Sequence, residues 1–305
     1  MDTGSLRIFR AVADTGSVTA AADRVNSVPS NVSMRIRRLE DEAGMALFVR
    51  ESRGMRLTAA GEMLLDYAGR ILALTEEARA ALAEINGSGG TLRLASMECT
   101  TAVRLPPLLA RFHSVWPRVV MSLTTGTTDA IVQLVLDRRA DWGLVGGPLT
   151  HERLVGEPVF VEELVLAVPV SVGAVEEAEL QTMLGFPAGC SYRARTEAWL
   201  RNRGRPPRSV MQFGTLDGLL GCVAAGMGVT LLPRVVVESA RWRDSIRALA
   251  LTDVPARAET WLIRHRDAVS SPAMGRFRDM AVAEAGAGCA PSPPETQPKR
   301  TSTIS

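Results

Sequence analysis

The stretch "PSNVSMRIRRLE", residues 29–40, decides the reading of this chain. Wound as a helix at about 100° per residue, it places Val32, Ile36 and Leu39 on one narrow face. Ser30, Ser33, Met34 and Arg37 fall on the opposite face, flanked by Asn31 and Arg38. Pro29 suits a first helical turn, where its missing N–H is not needed. The spacing predicts a short helix anchored by aliphatics that turns small polar groups and guanidiniums outward. Taken alone, such a helix reads equally as a solvated surface helix, so its neighbours decide.

Upstream, Leu6, Phe9, Val12 and Ala13 are spaced for a helix that breaks at "TGS". Ser17 then suits the N-cap of a second helix, "VTAAADRV", whose small residues allow close packing. The tripeptide "NSV" turns the chain into the Pro29 helix. Two short helices joined by a tight turn, the second presenting polar groups, form the helix-turn-helix pattern. Downstream, in "MALFVRESRGMRLT", apolar residues bracket Arg50, Arg53, Gly54 and Arg56, as a small β-hairpin wing requires. Between Arg24 and Arg38 lie four arginines and no acid. That local patch favours DNA binding over a merely solvated face.

Thr58 suits the N-cap of one long helix from about Ala59 to Ile85. Leu64, Tyr67, Ile71, Leu74, Ala78, Ala81 and Ile85 recur along it at spacings of three and four. A two-stranded coiled coil needs that stripe, and so does packing against the helix's own domain. Pairing is the favoured reading, because a helix-turn-helix gains affinity by reading two half-sites. "NGSGG", residues 86–90, stops the helix. From residue 91 to about 286, strand and helix patterns alternate, which predicts a parallel α/β arrangement with helices on both sheet faces. In it, "AVRLPPLLARFHSVW" reads as a helix broken at Pro106 and Pro107. The tail beyond about Gly286, rich in Pro, Ser, Thr and Gly, is expected to be disordered.

The 305 residues suffice for two or more domains, and a net charge of +2 excludes a polycation. Cys99, Cys190, Cys222 and Cys289 are scattered singly, which suggests neither a disulfide framework nor a zinc site. No signal peptide or membrane span is evident, so the expected location is the cytoplasm.

The stretches "LRIFRAVADTGSVTAAADRV", "VSMRIRRLEDEAGMALFVR" and "GMRLTAAGE" resemble the N-terminal signature of LysR-type transcriptional regulators, and the resemblance extends over residues 4–286. It implies a winged helix-turn-helix, mainly α, then a long linker helix and a two-lobed α/β effector domain like periplasmic binding proteins. On that plan residues 1–58 bind DNA, 59–86 dimerise and 87–290 bind an effector. The lobes are 91–161 with 267–286, and 162–266; residues 291–305 are a disordered tail. The implied partners are double-stranded promoter DNA, a small-molecule effector and further copies of the chain, as a homodimer or a homotetramer of two dimers. RNA polymerase is an expected further partner, the nucleoid the expected place, and no cofactor or membrane is involved. Many members carry Gln-Pro early in the recognition helix; here those positions are Pro29 and Ser30, so the glutamine contact cannot be made. Asn31 can bond adenine, Arg37 guanine or phosphate, and Ser33 and Met34 backbone and thymine methyl. Arg35 and Arg38 complete the basic face, and Arg50 and Arg53 suit phosphate or minor groove.

Ligands of open α/β sheets bind outside the carboxyl ends of strands. Those ends give Ser96, Thr100, Thr101, Thr127, Thr128, Gly146, Ser191, Tyr192 and Thr215 as candidate effector contacts, although helix capping explains each residue taken singly. Gly226 and Gly228 allow close backbone approach or simply serve turns. Such a cleft suits a carboxylate, while Glu98 and Asp217 suit an amine or amino acid. Cys190 reads as a redox thiol or, more readily, as a small buried residue. The three histidines stand apart, and no G-x-S-x-G elbow occurs, which argues against a hydrolase. A small-molecule-binding module without a DNA role remains the alternative, but it leaves the arginine helix unexplained.

Overall fold

The computed structural model describes residues 1–51, 54–85, 89–178, 182–251 and 257–287, with backbone alone at 77, 80, 81, 83–85 and 285–287. Arg53, most of the 86–90 joint, Cys289 and the 291–305 tail therefore lie outside the described residues, as do the side chains of Ala81 and Ile85.

Helix α1 (Thr3–Thr15) starts where Asp2 accepts the Ser5 N–H at 2.9 Å. It stops at Gly16, whose φ of 63° favours glycine. Ser17 caps α2 (Val18–Arg24) as expected, and α3 (Pro29–Ala43) carries Pro29 in its first turn. Val32, Ile36 and Leu39 are buried against Leu6, Phe9, Val12, Ala21 and Ala22, so the stripe read from the sequence is the core face. Strands β1 (Phe48–Glu51) and β2 (Gly54–Leu57) pair antiparallel as the wing. Gly54 lets the wing approach the α1–α2 turn: a Cβ there would sit 2.4 Å from the Gly16 carbonyl oxygen, and Met55 N donates to that oxygen at 2.8 Å.

Glu40, on α3, ties the recognition helix to the wing by accepting the Leu47 and Phe48 N–H groups at 2.9 and 3.2 Å. Leu47 and Phe48 are buried. Glu40→Ala should strand both donors and cost about 2 kcal/mol, since bonds to a charged acceptor are among the stronger ones. Urea unfolding measures this; a loss below about 0.5 kcal/mol, the size of an ordinary surface substitution, would show that water replaces the carboxylate.

Thr58 caps α4 (Ala59–Ile85), accepting the Gly61 N–H at 3.0 Å. Ala68 and Leu72 are buried in the DNA-binding core, whereas Tyr67, Ile71 and Leu74 are 52%, 40% and 55% exposed. The helix thus has two apolar faces, one covered by its own chain and one bare. Arg153 reaches back to Asp66 on α4 at 3.4 Å.

The effector domain runs β3 (Thr91–Ser96), α5 (Glu98–Val103), α6 (Leu105–Val115), β4 (Val120–Thr125), α7 (Thr128–Leu136), β5 (Trp142–Gly146) and β6 (Leu154–Pro169). It continues with β7 (Thr182–Gly185), α8 (Ser191–Asn202), β8 (Ser209–Gln212), α9 (Leu216–Ala224), β9 (Thr230–Pro233), α10 (Arg234–Val237), β10 (Ile246–Ala250), β11 (Arg257–His265) and α11 (Pro272–Ala287). The expected break at Pro106 and Pro107 falls just before them, at Arg104, where α5 ends; the prolines sit in the first turn of α6, where a proline costs no hydrogen bond.

The expected all-parallel sheet is also corrected. β3 pairs parallel with β4 and β5, but β11 runs antiparallel to both β5 and β6. The 16-residue β6 passes through both lobes. Its first part, 154–163, pairs with β11, and its second, 164–169, with β9 and β10. Residues 257–265, placed with the second lobe from the sequence, therefore belong to the first lobe's sheet. Each lobe holds two buried clusters, around Phe112 and Phe277 and around Ile131 and Val145 in the first, and around Leu219 and Leu232 and around Met183 and Trp199 in the second.

Candidate functional site: a recognition helix and an interlobe cavity

On α3, Pro29, Ser30, Met34, Arg37 and Arg38 are exposed, and Asn31, Ser33 and Arg35 half-buried. The polar groups are not equally available. Asn31 Nδ2 donates to Ser27 Oγ at 2.8 Å, and Arg38 Nε pairs with Glu42 at 3.2 Å. Arg35 Nη1 points back toward α1, 3.5 Å from both Asp2 Oδ1 and Ser5 Oγ. Arg37 makes no hydrogen bond or ion pair among the described residues. The helix N terminus has no side-chain cap; Pro29 has no N–H and the Asn31 and Val32 N–H groups bond the Val28 carbonyl, which leaves the Ser30 N–H for an anion. Arg50 is exposed on β1.

Between the lobes lies a cavity of about 130 Å³ lined by Met97, Glu98, Cys99, Thr125, Gly126, Thr127, Phe186, Pro187, Cys190, Tyr192 and Gly214. Glu98, Thr127 and Tyr192 are the expected effector residues that reach it. Thr127 also caps α7 by accepting the Ala130 N–H at 3.4 Å. Ser96 and Thr100 are buried behind it, with Ser96 Oγ donating to the Met97 carbonyl at 3.2 Å.

Thr128, Gly146 and Ser191 form a seam where the lobes touch, and Thr128 and Ser191 also line a second, more open hollow with Asp129, Gly189 and Glu197. Gly146 N donates to Thr128 Oγ1 at 3.3 Å, while the Thr128 and Ser191 hydroxyls lie 3.6 and 3.7 Å from Met97 Sδ. A Cβ on Gly146 would stand 2.2 Å from Ser191 Oγ, so a glycine is needed for this approach.

Three further expectations, beyond the buried Ser96 and Thr100 and the seam residues, also lie off the cavity wall. Thr215 caps α9 by accepting the Gly218 N–H at 3.3 Å, and Asp217 pairs with Arg241 at 2.9 Å on the surface. The Thr101 hydroxyl is buried within the lobe without a partner among the described residues. Gly226 and Gly228 serve the turn before β9. Sequence reasoning missed Met97, Phe186 and Pro187. The latter two follow β7, a four-residue strand with no clear signature.

Burial pushes the Cys99 and Tyr192 groups well up from their usual range; Cys190 and Glu98 raise Cys99 further, and Cys99 and Glu162 raise Tyr192 further. Burial also raises Cys190, against the pull of the Arg193 and Tyr192 N–H groups. These thiols stay protonated, which suits packing better than redox chemistry. Arg104 forks onto Glu162 at 2.7 and 2.9 Å. Glu162 is only 5% exposed. Arg104→Ala should therefore leave a buried unpaired charge and cost about 3 kcal/mol. Adding Glu162→Gln should recover part of it, as read from denaturant midpoints; equal loss in single and double variants would contradict the pairing.

Comparison with known proteins places this geometry. Residues 3–62 match the family described as "Bacterial regulatory helix-turn-helix protein, lysR family", and residues 86–286 match "LysR substrate binding domain". The chain is 41% identical over 279 residues to the uncharacterized regulator YusT of Bacillus subtilis, covering 92% of this chain and 95% of that one. It is 39% identical over 280 residues to the regulator GltR of the same species, covering 91% and 95%. Among solved structures it resembles CbnR, a LysR family transcriptional regulator, at a TM-score of 0.66 and 25% identity over 93% of this chain and 99% of that one. Full-length CbnR complexed with its target DNA gives the same TM-score of 0.66 at 24% identity, covering 93% of this chain and 100% of that one.

Proposed function

Because this chain belongs to the LysR family of DNA-binding transcriptional regulators and carries an effector-binding domain, we propose that it reads an operator through α3 and senses its effector between the two lobes. Two chains pair along the exposed Tyr67, Ile71 and Leu74 stripe of α4. Each α3 then enters the major groove of one half of a pseudo-palindrome, as in helix-turn-helix dimers generally. The effector is a small carboxylate, amino acid or amine. Its binding in the cavity shifts the angle between the two DNA-binding units, and the work available is its differential affinity for the two arrangements. Among the described residues no helix is long and apolar enough to cross a membrane, and the proposed place of action is the cytoplasm, on the nucleoid, with RNA polymerase as a further partner at the promoter.

The observation that carries this reading is the division of labour on α3: an apolar face buried entirely in its own domain and an opposite face with Ser30, Met34 and an uncommitted Arg37. Asn31 and Ser33 flank that face and complete the set that addresses base edges. Arg50 on the wing, and Arg53, which lies outside the described residues, are assigned to phosphate. Arg50→Ala should weaken binding to all sequences alike and lower the slope of log affinity against log salt by about one per protomer. Titrations at several salt concentrations test this; a loss confined to one base position with an unchanged slope would move Arg50 to base readout.

A further inference from the structure

The charges around the interlobe cavity are unevenly committed, and the imbalance specifies a ligand. Glu98 is the one carboxylate of the lining, and it makes no hydrogen bond or ion pair among the described residues. The nearby guanidiniums already have partners. Arg104 forks onto Glu162, and Arg193 donates to Glu197 at 2.9 Å and to the Phe186 carbonyl at 3.3 Å. The Thr127 hydroxyl oxygen accepts the Ala130 N–H, and the N–H groups of Tyr192 and Arg193 bond the Cys190 sulfur. A carboxylate entering this space would lose its hydration and find no uncommitted cation, whereas an ammonium would find an unpaired acid.

Size narrows the class further. The cavity encloses about 130 Å³, and much of its wall is Met97, Cys99, Phe186, Pro187 and Cys190. An apolar cavity of about 150 Å³ holds one benzene ring, so roughly six to eight heavy atoms fit.

We propose that the effector is a small organic cation, an amine on a short apolar body, whose ammonium pairs with Glu98 while the body lies against Met97, Phe186 and Pro187. This rests on the interlobe reading above and selects one of the three ligand classes it leaves open. Acidic amino acids and simple carboxylates are thereby disfavoured.

The test is a thermal-shift comparison of full-length protein with benzylamine and isoamylamine against benzoate and isovalerate, in wild type, Glu98→Gln and Gly214→Phe. Gly214 borders the cavity and a Cβ there meets nothing within 4 Å, so Gly214→Phe fills the space without a backbone clash. An amine at about 100 times its dissociation constant should raise the wild-type midpoint by roughly 5 °C, with no rise in either variant and none from the carboxylates. A carboxylate shift that survives Glu98→Gln but vanishes in Gly214→Phe would overturn the cationic assignment and leave the interlobe site standing. An amine shift unchanged in Gly214→Phe would remove the ligand from the cavity and overturn both readings. Absence of any amine shift up to 10 mM, roughly the weakest affinity class of small ligands, would also overturn the proposal.

Discussion

Arg37→Ala should weaken operator binding by at least about thirtyfold, while leaving the protein as stable as before. A good bidentate contact to a base is worth about 1–3 kcal/mol, and a dimer makes it twice, so roughly 2–6 kcal/mol is at stake. The side chain is exposed and makes no bond within its own chain among the described residues, so folding has little to lose. Arg38 is the internal control, because its guanidinium is engaged with Glu42. Arg38→Ala should weaken binding by less than about tenfold, in the range of a single phosphate contact. Fluorescence anisotropy on one duplex compares the three proteins. Unchanged affinity in a folded Arg37→Ala protein would take the centre of α3 out of the groove.

The second large effect is expected at α4. Ile71 and Leu74 are exposed and contribute nothing to the buried core of their own chain. Replacing both by Asp should leave each chain folded but place four carboxylates in the seam of a pair. Burying side chains of this size contributes about 1.5–3 kcal/mol each, and unpaired charges there reverse the sign. Sedimentation should show monomers at micromolar concentration. DNA affinity should fall by about a hundredfold or more, because the second half-site is no longer held at high effective concentration. A dimer that persists would assign the pairing to other surfaces. A loss of thermal stability without a change in assembly would instead mean that the stripe packs on its own domain.

How much of this was legible in the sequence differs sharply along the chain. The DNA-binding unit is built from local signals: the Val32, Ile36 and Leu39 stripe, the Ser17 and Thr58 caps and the first-turn Pro29 all act within a few residues of where they stand. The effector domain is not. β6 has exposed positions at 156, 158, 161 and 163 and is buried throughout 164–168, so neither a half-buried nor a fully buried strand pattern describes the whole of it. Its antiparallel partner β11 lies about a hundred residues downstream, beyond the reach of any turn signal. Of the residues the strand-end rule gave, Glu98, Thr127 and Tyr192 line the interlobe cavity. It did not say which hydroxyls face the cavity, which cap helices and which close the seam, because that depends on how one lobe is rotated against the other. Asp217 shows the same limit, since Arg241, the cation that engages it, lies outside the α9 segment altogether.

The most direct test of the central claim is selection of binding sites from random duplexes by the full-length protein, followed by footprinting of the selected DNA. The account predicts two related half-sites in inverted orientation, their centres about 10–10.5 base pairs or a multiple apart. Protection should be lost in Arg37→Ala. Enrichment of a single undivided site, or of no sequence at all, would contradict the reading of this chain as a paired, sequence-specific regulator.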